Sequence, residues 1–229
     1  EKRKEAETEL KKATVVSGFV GGIFTAVKPG ELENVSDEDK DLMKLVLGKG
    51  AEMIKELEGQ PEIEASIRVI LGSAYHSLGF YDEALEHREA ATAIYLKKFG
   101  PEHLWVAATL HQGGVTLAGN GEFIKAEEYH RKALDIKLKQ LAEDDPSMVN
   151  SYFKIAEVHS RKGQYDKALE YLRKSLAISI KKYEGSDHIN VANGYDRIAS
   201  AHNKKGEYNK ALEYYHKAHA MLIKRRRPD

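Results

Sequence analysis

The sequence predicts an all-α fold, a right-handed superhelical solenoid of antiparallel helix pairs in which four repeats follow a set of N-terminal helices. Three observations predict it. A short motif recurs four times at a nearly constant step, two series of small residues keep register with it, and apolar residues between the motifs fall three and four positions apart.

The motif reads Gly79-Phe80-Tyr81-Asp82-Glu83-Ala84, Gly121-Glu122-Phe123-Ile124-Lys125-Ala126, Gly163-Gln164-Tyr165-Asp166-Lys167-Ala168 and Gly206-Glu207-Tyr208-Asn209-Lys210-Ala211. Its glycines stand 42, 42 and 43 residues apart, and the series Gly72, Gly114, Ala156, Ala199 and Ala91, Ala133, Ser175, Ala218 follow the same step. Glycine ends a first helix with the open backbone that a tight turn needs. The aromatic residue two positions later starts the second helix by packing into the hairpin, and the small residues let the helices approach. Spacings such as Val106, Leu110, Gly114 and Leu117 mark the first helix of a pair, and Ala126, Tyr129, Ala133 and Ile136 mark the second. Short breaks separate the repeats, and the extra residue behind the step of 43 lies in the break from Tyr183 to His188.

A period of 42 residues also fits HEAT-like repeats or a propeller blade. Strand alternation is missing, and the Gly-aromatic motif with its small-residue series is not HEAT-like, so these features resemble the tetratricopeptide repeat. The linkers His103-Leu104-Trp105-Val106-Ala107, Asp145-Pro146-Ser147-Met148-Val149 and His188-Ile189-Asn190-Val191-Ala192 partly match a His-Pro-x-Val-Ala pattern. Over residues 61 to 226 the chain thereby resembles the light chain of kinesin and its bacterial relatives. In that family the positions held here by His111, Phe153 and Asp196 often carry an Asn that holds cargo peptide, and none of the three is Asn, which argues against a motor-cargo role. The pattern Glu58-Gly59-Gln60-Pro61-Glu62 with Leu78-Gly79-Phe80-Tyr81 also resembles the start of repeat arrays appended to bacterial serine/threonine kinases. That likeness implies a non-catalytic regulatory or sensor appendage, since no kinase loop occurs in the chain.

Residues 1–58 are read as N-terminal helices and residues 59–229 as four repeats, 59–100, 101–143, 144–185 and 186–229. The first 28 residues carry the stripe Val16, Phe19, Val20, Ile23, Val27 and end at Pro29-Gly30. A second helix is expected from Ser36 to about Leu57, with Leu42, Leu45, Val46, Met53, Ile54 and Leu57 apolar. These helices are expected to cover the open end of the array; a dimerisation or membrane-surface segment at Val15 to Val27 is the alternative. The chain opens at Glu1 without Met, as a fragment or processed product would.

Composition narrows the function. With 36 basic and 36 acidic residues, no global field draws in nucleic acid, and the absence of cysteine excludes thiolate metal sites and cysteine nucleophiles. The basic run Lys224-Arg225-Arg226-Arg227 suits a helix C-terminus. The uncharged, apolar stretch Ala13 to Val27 has 15 residues, short of the roughly 20 of a membrane-spanning helix. No metalloprotease, hydrolase or phosphate-loop motif occurs, so no catalytic residue, cofactor or metal is expected. His159 and His202 replace Tyr75 in the repeat and read as packing residues. The expected partner is a protein or peptide, and the expected location cytoplasmic, with a membrane-attached parent left open.

In stacked helical hairpins the inner wall is lined by the first helix of each pair. The first two repeats offer a small, weakly polar wall there, including Ser66, Val69, Ala108 and Val115. The last two offer amides, both charge signs and an aromatic. The candidate peptide-binding groove is therefore His111, Asn150, Phe153, Glu157, Arg161, Asn193, Asp196, Asn203 and Lys204, with Phe153 as an exposed apolar anchor.

Overall fold

A computed structural model of the chain describes residue 18, residues 36–52, residue 54 and residues 59–183 and 188–226. The expected helix over residues 1–28, its stop at Pro29-Gly30, Met53, Leu57, residues 184–187 and Arg227 lie outside the described residues, as do the side chains of Lys224 to Arg226.

Among the described residues there are nine helices and no strand. Two compact units divide the chain, residues 1–120 and residues 121–229. The first holds α1 (Asp37–Glu52), α2 (Pro61–Ser77), α3 (Tyr81–Phe99) and α4 (Leu104–Gly119). The second holds α5 (Phe123–Gln140), α6 (Met148–Arg161), α7 (Tyr165–Lys182), α8 (Ile189–Lys204) and α9 (Tyr208–Arg226). Consecutive helices pack as antiparallel pairs, α2 with α3, α6 with α7 and α8 with α9.

The turns form for the reason the motif suggests. Gly79, Gly121, Gly163 and Gly206 have φ of 83°, 81°, 72° and 85°, a region that costs a side chain about 1–2 kcal/mol. Around Gly79 the Phe80 N–H donates to the Tyr75 carbonyl at 2.9 Å and the Gly79 N–H to His76 at 3.0 Å. The same pair of bonds recurs around Gly163 and Gly206, closing the otherwise unpaired carbonyls of α6 and α8.

Two linkers, at His103 and His188, cap the following helices with a side chain, and the one at Asp145 closes the turn before α6. Nδ1 of His103 accepts from the Trp105 N–H at 3.1 Å, and Nδ1 of His188 from the Asn190 N–H at 3.2 Å. Oδ1 of Asp145 accepts from Ser147 at 2.8 Å. Both capping rings also stack, His103 on Phe99 and His188 on Tyr183. The recurring linker residue thus serves local structure, as a helix N-cap does.

The small-residue series lets helices meet. Ala84, Ala91, Ala168, Ser175, Ala211 and Ala218 are buried. A Cβ on Gly72 would fall 2.9 Å from Cγ of Arg88, and one on Gly194 would fall 2.7 Å from Cδ1 of Leu176.

In the first unit Leu47 and Ile54 join Ile63, Ile67, Leu71 and Tyr75 in one buried cluster. The apolar set expected for α1 is therefore corrected. Leu42 and Leu45 are 60% and 57% exposed, whereas Leu47 is 1% exposed. The face that meets α2 repeats at Leu47, Ala51 and Ile54, and Leu42 and Leu45 lie off that face. In the second unit one cluster gathers Ala156, Leu169, Leu172, Leu176, Val191 and Ile198, and another gathers Leu134, Met148, Tyr152, Ile155 and Ile178.

Candidate functional site

Helices α6 and α8 occupy equivalent places in successive repeats, so Phe153 matches Asp196, Glu157 matches Ser200 and Arg161 matches Lys204. Their outward faces bound a cavity of about 250 Å³ in the second unit. Ala156, Leu172 and Ala201 form its apolar floor. Phe153, Glu157, Arg161, Asp196 and Lys204 line it, together with Arg197.

Five of the nine residues singled out from the sequence thus share one cavity. Asn150, Asn193 and Asn203 are exposed on the same two helices but do not line it. His111 is half-buried on α4, in the first unit.

Two details differ from expectation. Phe153 is half-buried against the α7–α8 cluster, not an open anchor. Its outer side is covered, because the Arg197 guanidinium carbon lies 3.4 Å from the ring centroid and Lys154 Nζ lies 5.3 Å from it. Glu157, expected to be available to a partner, accepts from Lys154 Nζ at 2.8 Å. The cause is the repeat itself: Lys154 and Arg197 are equivalent positions, each carries a cation, and a phenyl face attracts both.

Arg197 is the lining residue that sequence reasoning missed. Partial burial lowers its pKa from the usual 12.5, and the carboxylates of Glu157 and Asp196 act in the opposite sense. The sequence signal for it is a cation directly after each of the equivalent positions Phe153 and Asp196, at Lys154 and Arg197, 43 residues apart.

The buried histidines serve packing. The rings of His159 and Tyr171 stack at 5.7 Å and 12°, and those of His202 and Tyr214 at 5.5 Å and 9°. In the first unit the same pair is reversed, with Tyr75 on α2 stacked on His87 of α3 at 5.4 Å and 11°. Among the described residues no three His, Cys, Asp or Glu side chains gather as a metal site, and no helix is long and apolar enough to cross a membrane.

Comparisons with known proteins agree with this architecture. In solved structures the chain is similar to the nearly identical TPR-like repeats of a Podosopora anserina protein described as a kinesin light chain. The identity is 22%, the match covers 93% of this chain and 99% of that one, and the TM-score is 0.73. It is similar to BtubC (BKLC) of P. vanneervenii at 17% identity, over 93% and 92% of the two chains, with a TM-score of 0.70. Aspartyl phosphate phosphatase F of Bacillus subtilis matches at 17% identity and a TM-score of 0.70, over 96% of this chain and 54% of that one. At these identities the likeness shows the fold. No curated protein sequence gives a significant match. The tetratricopeptide repeat family model matches residues 64–139 and 147–224, and the chain belongs to that family.

Proposed function

We propose that the chain is a non-catalytic protein-interaction scaffold that binds an extended polypeptide segment at the α6–α8 cavity. Tetratricopeptide domains are generally protein–protein interaction modules, and the specific site and ligand type are the proposal. The observation behind it is the unbalanced chemistry of this cavity. Arg161 and Lys204 stand on its rim, Arg197 lies across Phe153, and none of these three cations forms an ion pair among the described residues.

Such a surface suits a chain segment that brings its own acceptors, while the apolar floor accepts a side chain. Asn193 and Asn203, exposed beside the cavity, add amide groups able to pair with a peptide backbone, and Asn150 lies at the position equivalent to Asn193. His111 belongs to the first unit and stands apart from this proposal. A kinase parent has only the Glu58 to Tyr81 sequence pattern behind it and is likewise outside the proposal.

The test is capture of partners on the full chain, identification by mass spectrometry, and hydrogen exchange with and without the partner. Protection of α6 and α8 is expected, together with loss of binding in the double variant Arg161→Glu, Lys204→Glu. Protection confined to the opposite helices, α7 and α9, with binding unchanged in that variant, would sink it.

A further inference from the structure

We infer that Arg197 is the specificity-determining group of this cavity and takes, as a two-pronged pair, the side-chain carboxylate of an Asp or Glu in the bound segment. This rests on the polypeptide-binding reading above and adds the chemistry that selects the segment.

The geometry fixes the guanidinium before any ligand arrives. Phe153 packs on the buried cluster beneath it, so the ring is a held platform, and the guanidinium carbon sits 3.4 Å from its centroid. Stacking on a ring engages the face of a guanidinium and leaves its edge free. Among the described residues the five N–H donors of Arg197 make no hydrogen bond or ion pair. Glu157 is taken by Lys154, and Asp196 influences Arg197 only at longer range.

A half-buried planar fork with an unsatisfied edge fits a carboxylate, whose two oxygens meet two parallel N–H groups. The lining cations Arg161, Arg197 and Lys204 outnumber the lining carboxylates Glu157 and Asp196, and Glu157 is already paired with Lys154. Arg161 and Lys204 close α6 and α8, where cations complement the helix dipole, so their presence has a structural explanation. Arg197 lies in the middle of α8, where the dipole explains nothing.

The test uses the full chain and dodecapeptides selected on it from a display library, then resynthesised with acetylated and amidated ends. Affinity is read by fluorescence polarisation and location by hydrogen exchange. The selected peptides are expected to share an acidic position, and replacing it by Gln should weaken binding about tenfold or more, the size of a lost charge-assisted pair. Arg197→Lys, which keeps the charge and loses the fork, should weaken binding to a similar degree. With Arg197→Met the Glu and Gln peptides should bind alike, and melting curves of both variants check that the fold is kept. Peptides that protect α6 and α8 yet tolerate the Gln change, bind Arg197→Lys as tightly, or need a free C-terminus would overturn this inference alone. Selection of no peptide, or of peptides that protect another face, would overturn the cavity reading and this inference with it.

Discussion

Nδ1 of His202 lies 2.6 Å from Oε2 of Glu207, across the turn at Gly206, and the equivalent His159 meets Oε1 of Gln164 at 2.8 Å across the turn at Gly163. One geometry is thus built twice, once with a carboxylate and once with its uncharged analogue. The last residue before each second helix reaches back to the ring that stacks inside the hairpin.

The difference predicts an acid dependence. Hydrogen bonds from Lys205 first, and then from His202, hold the Glu207 carboxyl at about 2, below its usual 4.5. A depressed carboxylate stabilises the fold fully above its unfolded value and loses that contribution as pH falls through the folded value. Melting temperature of the parent should therefore fall, relative to Glu207→Gln, between roughly pH 4.5 and pH 2. Parallel curves for the two proteins across the window would refute this.

The turn glycines give a second prediction. Nothing lies within 4 Å of a Cβ added to Gly163, so the whole cost of Gly163→Ala is conformational, at a φ of 72°. Denaturant unfolding should show a loss of about 1–2 kcal/mol, and Gly163→Asn should lose less, because Asn tolerates this region better. Equal losses for Ala and Asn would point to a steric cause instead.

Much of this was legible in the sequence, and the boundary is physical. The step of 42 residues, the turns and the buried small residues follow from local backbone chemistry repeated four times, which a single chain displays openly. The stacked pairs of His159 and His202 were legible as replacements of Tyr75. The cover on Phe153 was not, because Arg197 lies 44 residues away and its side chain can point several ways from the same helix position. The face of α1 was misplaced for a related reason. Leu42, Leu45, Val46 and Leu47 offer competing stripes, and only the partner helix selects Leu47.

The covered ring separates two variants in the cavity. Phe153 packs on the α7–α8 cluster and under Arg197, so Phe153→Ala should cost about 1–3 kcal/mol in thermal or denaturant unfolding. Arg161 is exposed and unpaired among the described residues, so Arg161→Glu should stay within about 0.5 kcal/mol. A stability-neutral Phe153→Ala would mean that the ring is open to solvent. Arg161 is accordingly the cleaner probe of binding.

The attachment of α1 yields the last prediction. Leu47 is 1% exposed and packs with Ile63, Ile67 and Leu71, while Leu42, five residues earlier on the same helix, is 60% exposed. Removing a buried leucine side chain forfeits its transfer free energy and leaves a cavity. Leu47→Ala should therefore cost about 2–4 kcal/mol, provided that α1 unfolds together with the rest of the first unit. Leu42→Ala removes little buried area and should fall within about 0.5 kcal/mol of the parent. The pair also tests whether α1 is integral to the repeats it precedes. If α1 opened on its own before the global transition, Leu47→Ala would leave the main unfolding midpoint unchanged and would appear only as faster hydrogen exchange within Asp37–Glu52. The Lys44 ion pair with Glu83 and the 4.8 Å approach of Lys44 Nζ to the Phe80 ring tie α1 to the start of α3 as well. A shift of the whole transition by Leu47→Ala, with Leu42→Ala silent, is the expected outcome.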